Sequence, residues 1–176
     1  QLYDRLLMLR SHGINKDSRK LVYNDLPWYY EMQELGYNYR LSDIQAALGN
    51  SQLKRAHLGF KKRQKIAERY KISFKSIPQI TDRNDEFLRH NAYHLYIIEV
   101  ENRNELYKYL REQNILTQIH YIPSHLMPYY KQFGWKEGDF PNSEDYYKKC
   151  LSLPIYPGLS KIDQSKVINL IIQSFE

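Results

Sequence analysis

Leu2, Leu6 and Leu9 recur at helical spacing with Arg5 and Arg10 set between them, which predicts a short amphipathic helix over residues 1–10. It opens without a capping residue, and no initiator Met precedes it, so an excised or processed piece is expected. Residues 11–40 lose the pattern. They are polar, carry Pro27 and the aromatics Trp28, Tyr29 and Tyr30, and read as a long irregular segment of the kind that carries function. Ser42 and Gln45 have capping-box spacing, and Ile44, Ala47 and Leu48 follow at helical intervals. Gly59 then predicts a weak point. Beyond it Phe60, Ala67, Tyr70, Phe74 and Ile77 predict a second helix running to Pro78.

After the turn-rich TDRNDEF (81–87), AYHLYIIEV (92–100) reads as a strand, Leu106, Tyr109 and Leu110 as one face of a helix, and LTQIHY (116–121) as another strand. SEDYYKKCL predicts a helix with Tyr146, Tyr147 and Cys150 in step. A last helix from Gln164 presents Val167, Leu170, Ile171 and Phe175. The C-terminal hundred residues therefore read as a small α/β domain.

The 176 residues are 42% hydrophobic, enough for a core, and no apolar run is long enough for a membrane helix or a signal peptide, so a cytoplasmic location is expected. The lone Cys150 excludes an internal disulfide and reads as an inert buried thiol. Net charge is +6, yet residues 54–75 hold nine Lys or Arg against Glu68 alone. That run fits either a solvated helix face or a nucleic-acid surface.

No Walker loop, dinucleotide fingerprint or G-x-S-x-G elbow is present. His94, His120 and His125 fall on or beside predicted strands, the last two bracketing the turn HYIPSH. HYIPSH holds no carboxylate and has no zinc-ligand spacing, so no metal is expected; the histidines suit hydrogen bonds to an anionic or sugar ligand, or to backbone at a sheet edge. In GYNYRLSDIQAALG (36–49), Asn38 and Arg40 stand just ahead of a helix N-terminus. Those are the ingredients of an anion site, although Arg40 pairing with Asp43 would account for the same residues.

Five ordered segments, LRSHGI (9–14), GYNYRLSDIQAALGNSQL (36–53), HNAYHLYII (90–98), HYIPSHLMPYY (120–130) and GDFPNSEDYYKKCLSLPIYPGL (138–159), resemble the C-terminal part of the DegT/StrS-type sugar aminotransferases. The resemblance implies an α/β fold: the C-terminal portion of the aspartate aminotransferase fold (PLP fold type I), comprising the small domain and its connecting helices. Residues 1–56 would be the tail of the large domain with a dimer-interface loop, and residues 57–176 the small domain. The implied cofactor is pyridoxal 5'-phosphate. The implied reaction moves an amino group from L-glutamate to C4 of a UDP-4-keto-6-deoxy-N-acetylhexosamine, and the last two motifs resemble the branch that serves pseudaminic acid biosynthesis. By the same resemblance, Asn38 and Arg40 would meet the cofactor phosphate of the other subunit of a homodimer, and His94, His120, Tyr121 and His125 the nucleotide sugar. The Schiff-base lysine of the family lies upstream of LRSHGI, and none of the fifteen lysines here stands in its context, so the chain alone is expected to be inactive. The rival expectation is a non-catalytic basic module that binds anions or nucleic acid.

Overall fold

The computed structural model describes residues 1–23, 26–82 and 91–175. Most of the TDRNDEF turn lies outside the described residues, as does the first residue of HNAYHLYII. The chain divides into two compact units, Gln1–Lys54 and Arg55–Glu176.

In the first unit α1 (Leu2–Leu9) is followed by β1 (Ile14–Asn15) and β2 (Glu31–Met32), which pair antiparallel with Ile14 opposite Met32 and Asn15 opposite Glu31. The segment expected to be irregular is therefore ordered by a ladder of two residues per strand and by side chains that bond backbone. Glu31 accepts from Val22 N at 2.8 Å and from Tyr23 N at 2.9 Å, and Gln33 donates to Lys20 O at 2.6 Å. Two glycines let the ends of this segment meet. A Cβ on Gly36 would lie 2.1 Å from Gly13 N, and Gly13 itself holds φ +67°, so neither position tolerates a side chain.

One helix, α2 (Asp43–Phe74), replaces the two expected. Its start is the predicted capping box: Gln45 N donates to Ser42 Oγ, and Ser42 N to Gln45 Oε1 at 3.0 Å. Gly59 does not break it. A helical glycine costs about 1 kcal/mol, which a 32-residue helix anchored at its C-terminal end readily absorbs.

The second unit is built on β3 (Tyr96–Glu99) and β4 (Cys150–Leu153), antiparallel with Tyr96 opposite Leu153 and Glu99 opposite Cys150. Around them stand α3 (Arg103–Glu112), the single turn α4 (Pro128–Lys131), α5 (Pro141–Lys149) and α6 (Lys161–Gln173). Ala67, Tyr70 and Phe74 of α2, Leu106 and Leu110 of α3, and Val167 and Ile171 of α6 close one core with Tyr96, Ile98, Leu151 and Leu153. The Tyr70 hydroxyl donates to Pro154 O at 2.9 Å and that of Tyr96 to Asp82, so both buried phenols keep a polar partner.

Four sequence expectations differ from the structure. Cys150 is not mid-helix: α5 ends at Lys149 and Cys150 opens β4, a strand buried along its whole length. Residues 116–121 form no strand, only a single bridge from Gln118 to Ser152. The strand expected from residue 92 begins at Tyr96, while the last helix begins three residues before Gln164, with Ser160 Oγ accepting from Asp163 N.

Candidate functional site

Within the first unit, Arg40 Nε donates to Asn38 Oδ1 at 2.9 Å and Arg40 Nη2 to His12 Nε2 at 3.3 Å. A guanidinium can only donate, so His12 accepts through Nε2 and carries its proton on Nδ1. Asp43 is not the partner of Arg40. Asn38 is fixed by its bridge to Ser11, while His12 N donates to Tyr37 O at 2.8 Å and the rings of Tyr37 and Tyr39 stack at 4.9 Å. The Gly13–Gly36 approach thus brings LRSHGI against GYNYR. Asn38 spends its carbonyl oxygen on Arg40, which leaves its amide N–H groups and the guanidinium, both exposed, as donors for an anion. His12, inside a quoted motif but not singled out as a candidate, completes the cluster.

In the second unit the residues singled out part company. His94 sits exposed in the bend before β3, and Tyr121 is 67% exposed. His120 Nδ1 lies 2.7 Å from Ser152 Oγ of β4, and the Tyr121 ring stands edge-on to the His120 ring at 4.6 Å. His125 is 8% exposed, and its Nε2 donates to Glu144 Oε1 at 2.8 Å. Glu144, on α5, also accepts from Gly138 N at 2.9 Å and from Phe140 N at 3.3 Å. Hydrogen bonding to His125 first, and to those amides next, holds its carboxyl below the ordinary value. His125 thereby ties the segment that precedes α5 to the first turn of that helix. A pocket of about 310 Å³ opens beside it, walled by Pro123, Tyr130, Trp135 and Phe140. Sequence reasoning missed Glu144, whose only local signal was an acid three residues after the proline that starts a helix. Cys150 is buried, its thiol pushed up by burial, as an inert group would be.

Among the described residues no group of three His, Cys, Asp or Glu could hold a metal ion, and no helix is long and apolar enough to cross a membrane.

The sequence profile of the DegT/DnrJ/EryC1/StrS aminotransferase family matches residues 1–172. The chain belongs to that family. The spore coat polysaccharide biosynthesis protein SpsC of Bacillus subtilis is 42% identical over 97% of this chain, which covers 46% of that relative. The UDP-4-amino-4,6-dideoxy-N-acetyl-beta-L-altrosamine transaminase of Campylobacter jejuni is 33% identical over 100% of this chain, again covering 46% of the relative. Among solved structures, Helicobacter pylori PseC, an aminotransferase of pseudoaminic acid biosynthesis, superposes with a TM-score of 0.82 at 29% identity, over 99% of this chain and 46% of its own. The chain spans about half the length of the curated relatives it matches.

The DegT/DnrJ/EryC1/StrS enzymes use pyridoxal phosphate on the fold type I scaffold. The Arg40–Asn38 cluster fits the phosphate of that cofactor, because it offers one charged and one neutral donor with, among the described residues, no carboxylate bonded to either.

Proposed function

We propose that this chain is part of a pyridoxal-phosphate-dependent nucleotide-sugar aminotransferase that passes the amino group of L-glutamate to C4 of a UDP-4-keto-6-deoxy-N-acetylhexosamine, in surface-glycan synthesis of the pseudaminic acid type. The observation that supports this reading is the cluster of Asn38, Arg40 and His12 with its exposed donors, held by the Gly13–Gly36 approach within a chain that matches the family over residues 1–172. When bound, pyridoxal phosphate supplies the electron sink for moving the amino group.

Asn38 and Arg40 hold the cofactor phosphate across a homodimer interface. His120, set by Ser152, and the exposed Tyr121 donate to the sugar or its diphosphate, with the exposed His94 as a further donor. His125 serves by fixing residues 120–144 through Glu144 rather than by direct contact. On this reading none of the fifteen lysines in the chain is the one that anchors the cofactor.

The test uses the enzyme with its upstream half present. It should convert a UDP-4-keto-6-deoxy sugar and glutamate to the 4-amino sugar and 2-oxoglutarate. Asn38→Ala should lose pyridoxal phosphate on dialysis about tenfold more readily, the equivalent of one charge-assisted hydrogen bond. Absence of amine transfer overturns the activity, and normal retention in Asn38→Ala overturns the role of that residue.

A further inference from the structure

The basic run of α2 finds no use in the proposed reaction. The structure divides it. Arg63 donates to Tyr93 O and Ile155 O and so is internal mortar rather than solvated surface. Lys62, Lys65 and Arg69, at helical spacings of three, four and seven, share one face of α2, and that face meets Lys161 at the start of α6 across a pocket of about 380 Å³. Ile66, Pro157 and Leu159 give the pocket an apolar floor.

Four cations therefore converge from segments some ninety residues apart in sequence. Among the described residues none of them is in an ion pair. The acids nearest in sequence do not line the pocket: Glu68 lies off its wall, and Asp163 accepts from Ser160 Oγ at 2.6 Å. Arg69 fixes the walls, donating to Lys161 O at 2.8 Å and to Ser165 Oγ at 2.5 Å. Uncompensated like charges held together in a concavity raise the local potential and favour a multiply charged anion. The pocket is small-molecule sized, which suits one compact polyanion; a nucleic-acid strand needs an extended groove that follows successive phosphates.

We propose that this pocket binds the polyphosphate chain of a small molecule of the nucleoside triphosphate class, through Lys62, Lys65, Arg69 and Lys161, with the apolar floor taking the face of the nucleoside. The site uses none of the residues assigned to cofactor or sugar, and the inference does not depend on that assignment.

Calorimetric titration of the full chain with ATP, inorganic tripolyphosphate and AMP tests it. ATP and tripolyphosphate should bind, and AMP about tenfold more weakly or not at all. Affinity for tripolyphosphate equal to that for ATP identifies the phosphates as the whole determinant, while tighter ATP adds the floor; both support the site. The double variant Lys62→Glu, Lys65→Glu should weaken ATP at least about tenfold, whereas Lys65→Arg and Lys75→Glu should leave it unchanged, with circular dichroism confirming the fold of each. Three results overturn the proposal: AMP binding as tightly as ATP, Lys75→Glu weakening ATP as much as the double variant, or a single-stranded oligonucleotide or phosphatidylglycerol vesicle displacing ATP from the same lysines at lower concentration.

Discussion

Glu144 shows how much one side chain can organise. It receives three donors, from His125, Gly138 and Phe140, and its folded-state pKa is held below the ordinary glutamate value of 4.5. A carboxylate whose pKa is depressed on folding adds stability above its unfolded pKa and loses it as pH falls through the folded one. Stability of the wild-type chain should therefore decline as pH drops below 4.5, and Glu144→Gln should flatten that acid limb while lowering stability at neutral pH. Denaturant midpoints measured from pH 3 to 7 check both. An unchanged acid limb would remove Glu144 from its assigned place. This partnership was not legible in the sequence, because a separation of 19 between His125 and Glu144 gives no periodic signal. Asn38 and Arg40 were legible as a pair, being two residues apart; the third member, His12, lies 28 positions from Arg40 and joins only through the meeting of two glycines.

At the scale of the element, α2 is the clearest case of tertiary context overriding local propensity. A glycine predicts a break only where the helix must pay its entropy unaided, and here Ile66, Ala67, Tyr70 and Phe74 anchor the following turns in the core. Gly59→Ala should accordingly stabilise the protein by about 1 kcal/mol, since the added Cβ would meet only Pro157 Cγ at 3.5 Å, an ordinary contact. A thermal melt decides it, and a fall in midpoint would mean the helix needs glycine there. Arg63→Met should cost about 2 kcal/mol in urea unfolding, because Tyr93 O and Ile155 O lose a charged donor. The amphipathic stripes of α3 and α6 were legible because one face of each meets the core. The Cys150 segment was not: a short apolar run after a helix reads equally as one more turn or as a buried strand, and burial on both faces of β4 erases the alternation that would have told them apart.

For the molecule as a whole, the two units differ in where their apolar side chains go. The second unit contains the whole hydrophobic core, whereas the first leaves Tyr3, Val22, Trp28, Leu35 and Ile44 more than two-thirds exposed. Few buried apolar contacts mean a low free energy of local opening. In hydrogen exchange on the chain, the amides of β3, β4 and α6 should be the slowest and those of residues 1–41 the fastest; equal protection in both would contradict this. The small α/β character of the second unit was legible from alternating strand and helix patterns. The ladder of the first was not, because two residues per strand fall below any periodicity that a sequence can display.

The near-contact of Gly13 and Gly36 constrains anyone who would graft specificity between members of the family. With their backbones closer than a methyl group allows, residues 9–14 and 36–40 form one inheritable unit. A chimaera that imports either segment alone from a relative must clash or gape at that seam, and one that transplants both together should keep it intact.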